Sequence, residues 1–576
     1  MLKLLAKLRP YWLRVLLLAA ITLAGVYTDL ALPSLMARII NQGIAAQDFS
    51  LILFTGGEML FCALLGVLCA VGSGILGAQV SMGFGRDLRG MVFRKATALS
   101  LTEFESLGTA TLITRTTNDI NQIQMFVMMA FRILIRAPLM ILGGVTMALR
   151  SSTALSQVVL LSVPALVITV AAVSSVALPL SGTIQRSVDR VNLILREKLT
   201  GLRVERAFGT ESYEEQRFDG ANSALTAVTI RMHRTMAVLM PALTLIMSFT
   251  QISLVWSGAV QIDAGSLLVG DMMAVIQYVM QIMMSLMMFT MIFVMAPRAV
   301  ASARRLTEVL ELPEAIADPE NPAPPAGIRG TVEFRDVSLT YQGAEKPVLE
   351  GISFTARPGE VTAVIGSTGS GKSTLVNLIP RFFDVTGGQV LVDGVDVRRM
   401  TQRQLRDKIG FVPQKALLFR GTIRENIAYG KPDATEEEIL AAAKTAQALP
   451  FIQEKPGGLD APVAQLGQNF SGGQKQRLSI ARALVRRPEI YIFDDSFSAL
   501  DAKTDAALRA ALKETTGDAT VLIVAQKVST IIDADRILVL DGGGCVGMGT
   551  HRELLQSCPV YQEIVYSQMS AEEVGT

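Results

Sequence analysis

The sequence predicts an α-helical membrane domain of six long transmembrane helices joined to a soluble α/β domain built around a P-loop. Three observations predict it. Half of the 576 residues are hydrophobic, and the mean hydropathy is +0.41, high for a soluble protein. Nearly all the long charge-free runs lie before residue 298, whereas glycine- and charge-rich segments follow it. Residues 366–374 read GSTGSGKST, between the apolar EVTAVI and the helix-forming STLVNLI. A chain of this length exceeds one ordinary domain. The expected division is a membrane domain over 1–312, a linker over 313–330 (PEAIADPENPAPPAGIRG, Pro-rich and unperiodic) and a soluble domain over 331–576. A net charge of only +2 supplies no global field for nucleic acid, which is not an expected partner.

A hydrocarbon core of ~30 Å needs about 20 apolar residues per helix. Six segments qualify, at 12–37, 55–82, 124–148, 153–180, 237–262 and 266–295. The fourth, SSTALSQVVLLSVPALVITVAAVSSVALPL, carries no charge. The first follows Lys3, Lys7 and Arg9, as a signal peptide would, but five further spans follow and no small-residue cleavage site closes it. Basic residues cluster at the N-terminus, between spans two and three (Arg86, Arg89, Arg94, Lys95, Arg115) and between spans four and five (Arg186, Arg190, Arg196, Lys198, Arg203, Arg206). The alternate loops are short and nearly bare. By the positive-inside rule the N-terminus, both long internal loops and everything after span six are expected in the cytoplasm. The two internal loops read as helical, so the spans are expected to project well past the headgroups. Of the four cysteines, none has metal-ligand spacing, and no disulfide framework is implied.

Several charges fall at or near membrane depth: Asp29, Glu58, Arg132, Arg136 and Asp271. Each costs at least ~2.5–3.5 kcal/mol at mid-depth. Arg132 and Arg136 share one helix face. They face a wet cavity and an anionic part of a substrate, or they pair with Asp29 or sit near the headgroups. Span six is methionine-dense, DMMAVIQYVMQIMMSLMMFTMIFVM. Flexible, polarizable thioethers suit surfaces that repack around different ligands, but also fill cores. Met283 and Met287 are candidates for a substrate pathway.

In the soluble half, Gly366, Ser367, Thr368, Gly369, Ser370, Gly371, Lys372, Ser373 and Thr374 form the G-x-x-x-x-G-K-[ST] loop. Its glycines let backbone N–H groups turn onto phosphate oxygens. Lys372 reaches the β- and γ-phosphates, Ser373 ligates Mg²⁺, and a helix beginning near Lys372 turns its positive end to the anion. Asp494 closes the apolar run IYIFD and fits the carboxylate that holds Mg²⁺. ATP and Mg²⁺ are therefore the expected cofactors.

FSGGQKQRLSIARAL, from Phe470, followed by a strand ending in aspartate, resembles the ATP-binding cassette (ABC) transporters. Six spans ahead of one cassette resemble an exporter-type half-transporter. The resemblance implies further roles. Tyr341 would stack on adenine, and Gln414 in IGFVPQKALLF would join the metal site to the membrane domain. Ser498, Ala499, Leu500 and Asp501 would cross the dimer seam. Ser471, Gly472, Gly473 and Gln474 would contact nucleotide held by a partner cassette. The stretches TEFESLGTA and FGTESYEE resemble coupling helices.

The chain departs from the family pattern at two catalytic positions and, less consequentially, at two places around the signature segment. Asp495 stands where a catalytic glutamate is usual, and Gln526, in VLIVAQKVSTI, stands where a switch histidine is usual. Aspartate is a methylene shorter, and misplacement on the ångström scale costs about 10²-fold in rate. Glutamine neither titrates nor acts as acid or base near neutral pH. Phe470 replaces the usual leucine, and Gln465-Leu466-Gly467 stands where Glu-Arg-Gly is usual. The expectation is a chain that binds ATP at its own site with little hydrolysis and completes a partner's site with an intact SGGQ. It would form a heterodimer with a related half-transporter in a bacterial plasma membrane, exporting small or amphipathic molecules, multidrug substrates among them. A slow homodimeric transporter, an ATP-gated non-pumping regulator and an importer with an exporter-like fold are the alternatives.

Overall fold

The computed structural model describes residues 1–324, 329–341 and 343–569. Of the expected linker, residues 325–328 lie outside the described residues. The chain forms two compact units, Met1–Ala98 with Leu107–Leu312, and Leu99–Ser106 with Pro313–Thr576.

Six helices of the first unit are long and apolar enough to cross a membrane. They include Trp12–Arg38, Phe49–Ala98, Ile120–Ser151, Thr153–Phe208, Glu211–Asp263 and Val269–Glu311. The Phe49–Ala98 helix has 50 residues, roughly 75 Å at 1.5 Å per residue, more than twice a hydrocarbon core. The extensions expected past the headgroups are therefore continuous helix. Leu, Val and Phe side chains stand exposed along the spans, as lipid-facing surfaces require, while Val26, Leu155, Leu254 and Tyr278 pack in a shared core. Ser152 alone separates the third and fourth helices, its hydroxyl capping Leu155 N at 3.3 Å.

The two stretches read as coupling segments differ. TEFESLGTA contains a short helix, Leu101–Leu107, whose Glu103 accepts from Ser100 N at 2.9 Å and Ala315 N at 3.1 Å. FGTESYEE forms no helix of its own. Gly209, at φ +63°, ends one long helix, and the next begins at Glu211. A left-handed glycine reverses the chain in fewer residues than a helical turn would take.

In the second unit the main sheet orders its strands Gly544–Gly549, Arg536–Asp541, Val361–Gly366, Thr520–Val524, Ile490–Asp494 and Ile409–Val412, all parallel except the first. The apolar runs alternate between the two faces. Ile490 and Ile492 enter one core, Tyr491 and Phe493 the other, and Leu522 and Ile523 divide likewise. A second, antiparallel sheet centres on Val332–Leu339, between Leu349–Ala356 and Gly387–Val392. A parallel sheet buried on both faces leaves the carboxyl ends of its strands as the place where side chains emerge together.

Candidate nucleotide site

Four neighbouring parallel strands deliver the candidate residues from their carboxyl ends. Val361–Gly366 runs into the glycine loop, Ile490–Asp494 into the two aspartates, Thr520–Val524 towards Gln526 and Ile409–Val412 towards Gln414.

The loop requires its glycines. Gly366 has φ +158°, and a Cβ there would lie 2.1 Å from Leu540 O. Gly371, at φ +92°, would put a Cβ 2.9 Å from Val348 O. The helix Lys372–Leu378 begins at the lysine, as its sequence predicts. Lys372 Nζ donates to Gly366 O and Ser367 O, both at 2.8 Å, so the ammonium lies across the mouth of the loop. Burial lowers its pKa from the usual lysine value, against the pull of Asp495 and Asp494. Ser370 is buried, and its Oγ has no hydrogen-bond partner among the described residues. Tyr341 OH lies 3.1 Å from Thr374 Oγ1, and its ring meets Phe383 edge-on at 5.4 Å, which brings the aromatic to the loop helix.

Ser373 Oγ donates to Asp494 Oδ1 at 2.8 Å. Hydroxyl and carboxylate converge, and with phosphate oxygens they make the all-oxygen donor set that suits Mg²⁺. Burial raises the Asp494 pKa above the ordinary carboxylate value; the Ser373 hydrogen bond opposes this and the Asp495 charge adds to it.

Asp495 takes φ +46°, a left-handed conformation uncommon outside glycine, asparagine and aspartate. The strand ends at Asp494 and the turn at Asp495 breaks the alternation that would send adjacent side chains to opposite faces, so both carboxylates lie near Lys372. Asp495 Oδ2 accepts from Gln526 Nε2 at 2.7 Å and from Gln414 Nε2 at 3.2 Å. Asp495, Gln526 and Gln414 thus form one cluster beside the Ser373–Asp494 pair.

The SGGQ segment stands apart from that cluster, at the start of the helix Gly472–Leu484. Ser471 Oγ accepts from Gln474 N at 3.3 Å while Gln474 Oε1 accepts from Ser471 N at 3.1 Å, a reciprocal capping box. The first helical N–H groups have no intrahelical acceptor, and Ser471 and Gly472 are exposed. A Cβ on Gly473 would lie 3.1 Å from Ala499 O, which ties this glycine to the 498–501 loop. In that loop Ser498 Oγ donates to Asp495 O at 3.0 Å, and Asp501 caps the helix Ala502–Thr515 by accepting from Thr504 N at 2.9 Å. Leu500 is buried in the core beneath.

The candidate pathway residues separate. Arg136 pairs with Asp29 at 2.7 Å, Glu58 lies 3.6 Å from Arg38, and Asp271 accepts from Asn41 at 3.2 Å. Arg132 is exposed. Met283 is 2% exposed and packed in the helical core, Met287 is half-buried, and Met280, Met284 and Met288 are exposed on another face of the same helix. Sequence reasoning missed the buried Asp119, which accepts from Arg305 and from Ser302 Oγ. It also missed Gln568, whose amide meets the backbone on both sides of Lys527. Neither belongs to a motif, and no local spacing marks them.

The chain matches the ABC transporter transmembrane region over residues 15–286 and the ABC transporter family over residues 349–498. It is 44% identical, over 99% of its own length and 98% of the relative's, to an uncharacterized ABC transporter ATP-binding protein of Mycobacterium tuberculosis. It is 33% identical, over 89% and 87%, to an ATP-dependent lipid A-core flippase of Desulfotalea psychrophila. Among solved structures it is similar to a bacterial Atm1-family ABC exporter with ATP bound, with a TM-score of 0.79, 28% identity, and 98% and 99% of the two chains covered.

Proposed function

The chain belongs to the ABC transporters as an exporter-type half-transporter, and we propose that it works beside a second, related half-transporter whose site carries most of the hydrolysis. It is an integral membrane protein and an ATPase coupled to transport, with ATP and Mg²⁺ as cofactors. Mg²⁺, held by Ser373 and Asp494 with Gln414 nearby, would neutralise phosphate charge.

The observation that carries the asymmetric reading is the engagement of Asp495. A general base must be oriented on the water it activates, within hydrogen-bond reach. Asp495 carries the shorter carboxylate, and two amides donate to its Oδ2. Gln526 supplies an amide where an imidazole could have moved a proton. The chain's own site therefore retains ATP and turns it over slowly. Ser471, Gly472, Gly473 and Gln474 keep the geometry of an anion-binding helix start and serve the partner's nucleotide, with residues 498–501 crossing the seam.

ATP at both sites closes the cassettes, closure moves the membrane helices outward, and hydrolysis at the partner's site reopens the pair. A near-complete switch requires about 5.5 kcal/mol of differential affinity. The flippase relative supports an amphipathic, lipid-like cargo. Arg132, exposed and with no polar partner among the described residues, is the better candidate for the substrate path; Arg136 is already neutralised by Asp29. Met287 belongs with that path, and Met283 would join it only by repacking. The basic internal loops support a cytoplasmic N-terminus and cassette, and the bacterial relatives support a bacterial plasma membrane.

The test is co-purification with a related chain, then phosphate release from the pair and from this chain alone. Turnover confined to the pair supports the reading. Rapid release by a preparation free of any second subunit ends it.

A further inference from the structure

The last described helix, Pro559–Gln568, lies against the loop that follows the strand Thr520–Val524. Its position is set from beneath. Tyr561 and Val565 are fully buried in the same core as Val528 and Ile531, and Tyr561 OH lies 2.8 Å from His551 Nδ1. From this anchored helix the Gln568 side chain makes two bonds to one short piece of backbone. Its Nε2 donates to Gln526 O at 2.8 Å, and its Oε1 accepts from Val528 N at 2.9 Å. That is the pairing a neighbouring strand would offer to residues two apart, supplied here by one side chain. It fixes the backbone of Gln526 from outside while the Gln526 amide reaches inward to Asp495 at 2.7 Å.

The geometry points to Gln568 as a positioning residue: an amide on the terminal helix that presets the switch loop and so sets how long nucleotide dwells at this chain's own site. This rests on the reading of Gln526 as the switch-position residue. Gln568 touches no nucleotide and acts through Gln526. Held at two points, the loop presents the Gln526 amide in one orientation. Released, it samples several, and each wrong orientation forfeits a contact at the phosphate end of the site.

The experiment uses the full-length chain in lipid nanodiscs and two isosteric changes on the same helix. Gln568→Met keeps the packing volume and removes both bonds. Gln562→Met removes a bond to Leu555 O, at 2.7 Å, that does not involve the switch loop. Two quantities are read: hydrogen exchange at the Val528 amide, and dissociation of ATPγS in the presence of Mg²⁺. In Gln568→Met, exchange at Val528 should rise about five- to tenfold, the scale of one lost hydrogen bond, and ATPγS should leave about three- to tenfold faster. In Gln562→Met both should stay near wild type. Faster exchange with unchanged ATPγS release overturns the proposal, because the bonds are then purely structural. Unchanged exchange in Gln568→Met overturns it too, as does an equal rise in release from Gln562→Met. Neither readout needs hydrolysis. Rapid phosphate release by the wild-type chain alone would end the asymmetric reading and leave this test standing.

Discussion

The two nucleotide-facing regions of this chain differ in how their polar groups are used. At the loop site the groups are turned on one another: Lys372 on two loop carbonyls, Ser373 on Asp494, Gln526 and Gln414 on Asp495. At the SGGQ helix the Ser471–Gln474 box satisfies two N–H groups reciprocally and leaves the first helical N–H groups without an intrahelical acceptor. On the proposed reading, chemical competence at a shared site belongs to each half separately, and this polypeptide is poor in one half and intact in the other.

The sharpest way to break that contrast is Ser471→Arg, which fills the helix start with a bulky side chain. In the pair, steady-state ATPase should fall by at least about 10²-fold, the scale of losing preorganised donors at a reacting phosphate. ATP binding to this chain's own loop should persist. A variant that keeps turnover would show that the lent half is dispensable. Next in size is the double change Asp495→Glu with Gln526→His. It restores reach and a titratable partner together, and in a pair whose other base is disabled it should raise hydrolysis about 10- to 100-fold. Phosphate release from that pair reads it directly, and no gain would place the defect elsewhere in the loop site.

A smaller effect comes from pH. Asp494 holds the metal only as a carboxylate, and burial raises its pKa from 3.8. The Mg²⁺-dependent part of ATP affinity is complete above that raised value and is lost as pH falls through it, earlier than for an exposed carboxyl. Lys372 acts as a cation, and burial lowers its pKa from 10.5. Its contribution is complete below that lowered value and is lost as pH rises through it. Calorimetric ATP affinity in Mg²⁺ should form a plateau with both flanks drawn inward, its acid flank setting in before that of an exposed carboxyl. Asp494→Asn should flatten the acid flank.

How much of this was legible beforehand depends on whether a residue acts through the local chain. Gly366 and Gly371 are dictated by backbone positions no other residue fits, so the loop was readable as written. Asp494 and Asp495 ended an apolar run of strand length, and the six spans followed from apolar length alone. The reversal at Gly209 was less legible, since FGTESYEE carries ordinary helix formers and only the observed φ shows the helices meeting at one glycine. The Asp119–Arg305 pair, 186 positions apart, and Gln568, 42 positions from Gln526, were not legible. Pairs that distant are set by packing of whole elements, and their residue types are unremarkable in isolation. For Arg136 two readings stood open, and only the Asp29 carboxylate at 2.7 Å decides what it touches.

The smallest expected effect carries the most weight for the contrast between the two regions. Asp495→Asn keeps the side-chain shape and keeps an oxygen able to accept from Gln526 Nε2, so the cluster of Gln414, Asp495 and Gln526 should survive. Only the negative charge and its basicity are lost. In a site whose carboxylate activates water, that loss is severe, because general-base catalysis contributes typically about 10²–10⁴-fold. In a site whose carboxylate serves to seat two amides, little depends on it. Turnover of the pair should therefore change by less than about twofold in Asp495→Asn, whereas the matching amide substitution of the partner's base should abolish it. Parallel rate measurements on the two variants read the asymmetry directly. Equal losses would mean that both carboxylates orient water, and that the amides on Asp495 yield once nucleotide is bound.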